Sequence, residues 1–154
     1  ISDANGRALF THMGKYHAWV AAENLLGRAA EVRAEALGSP RVTFTDPQVA
    51  AAGKTLAQAR EAGIDARAVD VPTDGSPGAS FQGKDTGGAS RLVVDQAKDT
   101  IIGATFTGFE TADFLHAATI AIVGEVPLER LRHAVAAYPS RSEVWLKLLE
   151  AYGL

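Results

Sequence analysis

The chain has 154 residues, of which 47% are hydrophobic and 21% charged, as in an ordinary soluble domain with a buried core. Its net charge of −3 argues against a nucleic-acid partner, because no basic stripe is present to neutralise phosphates. The absence of cysteine excludes disulfides, thiolate zinc sites and thiol redox chemistry within this sequence. The longest apolar runs, such as 117–123, are too short to span a bilayer, so we expect a cytoplasmic protein without a membrane partner.

The first 27 residues predict a short loop followed by one helix. Thr11 is a suitable N-cap, apolar residues follow at helical spacing as far as Leu25, and Gly27 is a natural stop. We expect this segment to be the end of a domain whose beginning lies outside the chain. The next segment, 28–39, favours a linker because Gly38-Ser39-Pro40 interrupts any helix there.

The middle of the chain contains the predicted strands, which are runs of alternating or β-branched residues bounded by turn signals. They cover 41–45, 49–53, 64–71, 91–95 and 101–108, the last two forming a hairpin. Between the second and third strands, Thr55 caps a short predicted helix over 56–62. Residues 72–88 hold five of the fifteen glycines and therefore predict a loop or an irregular edge.

Three further helices are predicted after the strands. The first begins at Thr111 and is strongly apolar, the second begins at Pro127, and the third begins at Ser140 and runs to the C-terminus. The order of helix, linker, strands and then helices favours an α+β fold, with helices packed on an antiparallel sheet, over an alternating βαβ chain.

Four sequence blocks carry a family resemblance. Three of them are the stretch 40–53 (Pro-Arg-Val-Thr-Phe-Thr-Asp-Pro-Gln-Val-Ala-Ala-Ala-Gly), the hairpin ending Ile102-Gly103-Ala104, and Tyr138-Pro139-Ser140-x-x-Glu143. In this order they resemble the C-terminal dimerisation domain of the pyridine nucleotide-disulfide oxidoreductases, which include dihydrolipoamide dehydrogenase, glutathione reductase, mercuric reductase and soluble transhydrogenase. The resemblance covers 40–154, and residues 1–27 resemble the last flavin-contacting segment of the same family.

The resemblance implies that this chain is a fragment of a homodimeric, FAD-dependent NAD(P)H oxidoreductase. The fragment would serve dimerisation and complete the partner's active site, while the FAD and NAD(P) domains lie outside it. We expect the chain alone to bind no FAD or NAD(P) tightly and to be inactive, because it contains no Gly-x-Gly dinucleotide fingerprint. The alternative is a free-standing dimerisation or binding module without catalysis. A Cys-x4-Cys pair in the preceding sequence would distinguish a disulfide reductase from a transhydrogenase.

The first candidate site is Asp3 with the helix start at Thr11 and His12. The resemblance implies that Asp3 accepts hydrogen bonds from the FAD ribityl chain and that the helix N-terminus faces the flavin. A helix N-terminus stabilises the negative charge that a reduced flavin gathers. Ser2 occupies the position where the family usually has glycine. The simpler reading is that Asp3 is a loop acid and Thr11 an ordinary cap.

The second candidate site is Tyr138 with Glu143. The resemblance places a His-Pro-Thr-x-x-Glu motif here in most thiol-dependent members, with the histidine as base and the glutamate orienting it. Tyr138 replaces that histidine, as in mercuric reductases and soluble transhydrogenases, and a phenol takes a thiol proton poorly at neutral pH. Ser140-x-x-Glu143 is also a capping box, which gives Glu143 a structural role.

The remaining predictions concern metals, mobility and the subunit interface. No two of the four histidines have metal-ligand spacing with an acid, so no metal site is expected. Residues 1–27 should be mobile or dock on a neighbouring molecule, since an isolated helix of this length is marginal in water. The apolar helix 111–123 and the segment 135–145 are the candidate dimer interface, and a charge at Val144 or Trp145 should weaken it.

Overall fold

The computed structural model describes residues 1–82 and 87–154, with the side chains of Ser2 and Gln82 not described. It contains six α-helices and five strands in these residues. In chain order they are α1 (Thr11–Leu25), α2 (Ala34–Leu37), β1 (Arg41–Thr43), β2 (Gln48–Gly53), α3 (Leu56–Glu61), β3 (Ala66–Pro72), β4 (Ala89–Asp95), β5 (Thr100–Gly108), α4 (Thr111–Val123), α5 (Leu128–Leu131) and α6 (Val144–Tyr152).

The strands form one five-stranded sheet in the order β1-β2-β5-β4-β3, and all four strand pairs are antiparallel. The predicted hairpin is β4–β5. Its turn is stabilised by Asp95, whose Oδ1 accepts the N–H groups of Ala97 at 3.0 Å and Lys98 at 3.2 Å. The α+β class with an antiparallel sheet is therefore confirmed.

The core lies between one face of this sheet and two helices. α4 covers β2 and β5, while α6 covers β3 and β4. Phe106 on β5 is fully buried and meets the ring of Phe114 on α4 edge-on, with 5.0 Å between the ring centroids. Apolar burial at about 25 cal/mol per Å² makes this layer the main source of stability. Its other large members are Leu92, Ile101, Leu115, Leu128, Val144 and Leu148.

α1 lies outside this layer and is bonded to the segment 28–40. The Tyr16 hydroxyl accepts the N–H of Arg33 at 2.9 Å and donates to the Glu31 carbonyl at 3.3 Å. Asn24 Nδ2 donates to the Ala30 carbonyl at 2.8 Å. Hence α1 has hydrogen-bond partners within its own chain, and its mobility stays a prediction. The predicted linker 28–39 includes the one-turn helix α2.

Local signals fix several boundaries as predicted. Thr55 forms a capping box with Gln58 at the start of α3, and Gly27 takes a left-handed conformation (φ 76°) just after α1. In the predicted loop 72–88, residues Pro77–Gln82 form a 3-10 helix, whereas residues 83–86 lie outside the described part of the chain. Within the described residues, no helix combines the length and apolar character needed to cross a membrane.

Candidate functional site

The Tyr138 segment connects α5 to α6 along the surface. Tyr138 is 77% exposed and its peptide bond to Pro139 is cis. Its neighbours 134–137 are also largely exposed and apolar. Because the phenol points away from the core of its own chain, it is available to a second molecule.

Glu143 follows Tyr138 in the same segment, in the 3-10 helix Arg141–Glu143, and forms a local hydrogen bond. Its Oε2 accepts the backbone N–H of Ser140 at 3.1 Å, which is the glutamate half of the predicted capping box. The other half is weaker, because the Ser140 hydroxyl faces the Glu143 N–H but is buried without a full hydrogen bond. Among the described residues no hydrogen bond joins Tyr138 to Glu143, so the two predicted catalytic residues lie close in sequence without forming a pair.

Arg141 is a residue of this segment that the sequence analysis missed. Its guanidinium carbon lies 4.8 Å from the centroid of the Phe114 ring on α4. Burial lowers the pKa of Arg141, and the nearby negative charges of Glu110 and Asp113 oppose that shift. This cation–π contact fixes the start of α6 to α4. The signal available in sequence was only an arginine beside the capping box, which does not predict its partner.

An apolar pocket of about 640 Å³ lies beside the same segment. It is lined by Ala117 and Ile120 of α4, by the stretch 134–137 and by Trp145, among others. Ile120 is 58% exposed and Val135 88% exposed. Such a surface, apolar and next to an exposed tyrosine, is typical of a site that another protein surface covers.

Of the two residues predicted to weaken this surface when charged, Val144 needs correction. Val144 is 1% exposed and belongs to the core, so a charge there would damage folding rather than an interface. Trp145 is half-buried and its ring lies 6.0 Å from that of Phe106. Sequence spacing placed both residues on the correct helix, although it did not say whether the apolar face with Val144 packs on the sheet or on a second molecule.

The second candidate site lies at the start of α1. Asp3 is exposed within a 3-10 helix, Ser2–Asn5, whose end at Gly6 is left-handed. The expectation that Thr11 caps α1 is wrong, because Phe10 occupies the N-cap position and Thr11 is already helical. No side chain of the described residues caps this end. The first backbone N–H groups of α1 are thus free of a side-chain partner, as an anion site at a helix N-terminus requires.

His12 is held at this helix start by two contacts. Its ring stacks on Phe10, with 5.2 Å between centroids, and Nε2 donates to the Pro40 carbonyl at 2.8 Å. This bond links the start of α1 to the entrance of β1. No hydrogen bond or ion pair between described residues connects this site with the Tyr138 segment, so the two predicted sites are separate within one chain.

The comparisons with known proteins agree with this geometry. The family model "Pyridine nucleotide-disulphide oxidoreductase, dimerisation domain" matches residues 39–149, and the chain belongs to this family. The resemblance drawn from the sequence blocks is therefore confirmed.

Individual proteins with sequences or structures similar to this chain support the same family. A dihydrolipoyl dehydrogenase of Bacillus subtilis (strain 168) is 30% identical over 139 residues, which is 90% of this chain and 29% of the relative. A mercuric reductase of Staphylococcus aureus is 32% identical over 134 residues, covering 87% of this chain and 24% of the relative. The solved HOCl-induced flavoprotein disulfide reductase RclA from Escherichia coli has a TM-score of 0.86 at 25% identity, covering 97% of this chain and 34% of that one. The chain thus spans about a third or less of the length of these proteins.

Proposed function

We propose that this chain is the dimerisation part of a cytoplasmic, FAD-dependent NAD(P)H oxidoreductase that acts as a homodimer. In this proposal residues 1–27 complete a flavin-binding domain, 28–39 connect the two units, and 40–154 form the dimerisation domain. The observation that carries the proposal is the apolar surface around Ile120 and Val135 beside the exposed Tyr138. A two-fold contact needs an apolar centre, which this surface provides. Tyr138 lies next to that centre and can reach the other subunit.

Tyr138 and Glu143 have different tasks in this proposal. The exposed phenol of Tyr138 projects into the partner's active site, where it can donate or accept a hydrogen bond at the substrate. Glu143 does not act on the substrate directly, because its carboxylate is bonded to the Ser140 N–H and fixes the segment that carries Tyr138. Replacing histidine with tyrosine disfavours a dithiol substrate, since a phenol is a poor base at neutral pH.

The residues at the start of α1 fit an FAD. When bound, FAD accepts electrons from NAD(P)H and passes them to the final acceptor. Asp3 offers an exposed carboxylate to the hydroxyl groups of the cofactor, and the uncapped N-terminus of α1 offers N–H donors to its electron-rich edge. His12, bonded to the Pro40 carbonyl, keeps that helix end aligned with the dimerisation domain.

The proposed function is tested by measuring how much flavin the purified protein contains. The polypeptide that joins this chain to its flavin- and nucleotide-binding domains should purify yellow and oxidise NAD(P)H, and Asp3→Ala should reduce its flavin content. Residues 1–154 alone should be colourless and inactive, because the pyrophosphate-binding loops are not in this sequence. A yellow preparation of residues 1–154, or a joined polypeptide without flavin, would contradict the proposal.

A further inference from the structure

His17 lies in the buried stripe of α1 and is 4% exposed, between Met13 and Val20. An imidazole at such a position often only fills space. Here both ring nitrogens have partners from other segments of the chain. Nδ1 lies 3.3 Å from Nδ2 of Asn5, and Nε2 lies 2.5 Å from Oε1 of Glu35. A buried imidazole bonded on both sides holds its two partners in fixed positions.

The direction of each hydrogen bond follows from Asn5. Its Oδ1 accepts the backbone N–H of Arg7 at 3.0 Å, which leaves the Nδ2 group facing His17. An amide nitrogen only donates, so Nδ1 of His17 accepts, and Nε2 carries the proton that is donated to Glu35. The surroundings therefore select the neutral Nε2–H tautomer of His17.

Arg7 closes these contacts into a ring. Its Nε lies 2.8 Å from the second carboxylate oxygen of Glu35, while its own backbone N–H is bonded to Asn5. The contacts run from Arg7 to Asn5, to His17, to Glu35 and back to Arg7. This four-residue ring joins the turn before α1, the middle of α1, and α2.

Asp3 is connected to the ring through the backbone. Gly6 lies between Asn5 and Arg7, adopts a left-handed conformation (φ 68°), and donates its N–H to the Asp3 carbonyl at 3.0 Å. Both neighbours of Gly6 belong to the ring, so the turn has little freedom to shift. The ring therefore fixes the position of Gly6 and, through the hydrogen bond from Gly6 to Asp3, the position of Asp3 as well.

We propose that the four-residue ring positions the Asp3 turn relative to the N-terminus of α1, and that it prepares both for the cofactor. The proposal rests on the proposed function, in which Asp3 and this helix end contact FAD. Asn5, Arg7, His17 and Glu35 are positioning residues, since they act through the turn. The ring requires an unprotonated Nδ1 on His17, because a proton there would face the donor group of Asn5.

The tautomer can be observed directly by ¹⁵N NMR on the 154-residue chain, above the ordinary titration range of imidazole. We expect His17 to show a protonated Nε2 and an unprotonated Nδ1. A protonated Nδ1, or an unprotonated Nε2, would overturn the proposed hydrogen-bond directions.

Arg7→Ala tests whether the ring fixes the turn, with Arg28→Ala as the matched control. Both arginines are exposed and each pairs with one glutamate, Arg28 with Glu23. Arg7→Ala should speed hydrogen exchange of the Gly6 N–H by about threefold or more, the size expected for losing one partly exposed ion pair. Arg28→Ala should leave that rate unchanged. Equal rates in the two variants would overturn the proposal.

The link to the cofactor is tested in the flavin-loaded polypeptide with Arg7→Ala and Asp3→Ala. Both should raise the FAD dissociation constant, Asp3→Ala more strongly because it removes a contact. Weaker binding in Asp3→Ala together with unchanged binding in Arg7→Ala would refute positioning by the ring and leave the flavin site standing. Unchanged binding in Asp3→Ala would instead refute the flavin site itself, while the NMR and exchange results would still describe the ring.

Discussion

The guanidinium carbon of Arg141 lies 4.8 Å from the centre of the Phe114 ring, and this contact ties the Tyr138 segment to the core. Phe114 in turn meets the fully buried Phe106, which also neighbours Trp145. The exposed Tyr138 therefore stands on a segment whose following residues are packed into the sheet–helix layer. The segment that carries the exposed Tyr138 is thus fixed by contacts within its own chain.

Arg141→Gln should lower the free energy of unfolding by about 1 kcal/mol, because it removes a partly desolvated cation–π contact. Urea denaturation measures the change, and Arg132→Gln, an exposed arginine in the connection before Tyr138, is the control. Equal free energies of unfolding in the two variants would show that the contact between Arg141 and the Phe114 ring contributes nothing to stability.

Asp70 and Arg91 lie opposite each other on β3 and β4 and form two hydrogen bonds, at 2.7 and 2.8 Å. The hydrogen bond from Arg91 lowers the pKa of Asp70, burial opposes the shift, and the charge of Arg91 adds to it. A carboxyl group whose pKa is lowered by folding stabilises the folded chain at pH values above its pKa in the unfolded chain, about 3.9. This stabilisation is lost as the pH falls through the lower pKa of the folded chain.

Asp70→Asn should therefore destabilise the chain by about 0.2–1 kcal/mol at pH 6, the range for an exposed pair, and by less as the pH falls below 4. Denaturation at both ends of this range measures the difference, with the exposed Asp74→Asn as the control. A difference between wild type and Asp70→Asn that stays constant across this range would contradict the assignment.

The two capping boxes should respond differently to loss of the hydroxyl group. Thr55 Oγ1 accepts the Gln58 N–H at 3.2 Å, so Thr55→Ala should cost about 1 kcal/mol. The Ser140 hydroxyl is buried without a hydrogen bond, so Ser140→Ala should be neutral or stabilising. Chemical denaturation of both variants measures the change in the free energy of unfolding that each substitution causes. A loss in Ser140→Ala as large as in Thr55→Ala would mean that the serine does cap the helix.

Tyr16→Phe should loosen the segment 28–40 from α1. The substitution removes the hydroxyl that accepts the Arg33 N–H and donates to the Glu31 carbonyl, while the ring is kept. Hydrogen exchange at Arg33 should rise about tenfold, as expected for losing a hydrogen bond of about 1 kcal/mol or slightly more. Unchanged exchange at Arg33 would show that other contacts hold the segment.

Local sequence signals predicted the parts of the fold that local chemistry determines. The β4–β5 hairpin, the Thr55 cap and the apolar helix α4 each depend on residues close together in the chain. The start of α1 was also predicted, although its N-cap is Phe10 rather than Thr11. The positions of Tyr138 and Asp3 followed from the family resemblance, whereas their functions stay predictions.

The partners of the site residues could not be predicted because they are distant in sequence. His17 and Glu35 are in contact although they lie 18 residues apart in the sequence. Arg141 contacts Phe114, which belongs to the earlier helix α4. The spacing of Val144, Leu148 and Leu149 predicts one apolar face on α6, and the structure buries it. The pattern does not say whether that face packs on the chain's own sheet or on a second molecule. Tertiary packing settles such contacts, and a single sequence does not specify it.

Sedimentation tests most directly the proposal that two copies of this chain associate through the apolar surface beside Tyr138. At micromolar concentration the chain should sediment at twice its 16.1 kDa mass. Val135→Asp should shift it toward monomer, because it puts a charge into the apolar contact. Leu25→Asp is the matched control, since both side chains are 88% exposed, and it should leave the dimer intact. A wild-type chain that stays a 16.1 kDa monomer at these concentrations, or a dimer that Val135→Asp does not weaken, would contradict the account.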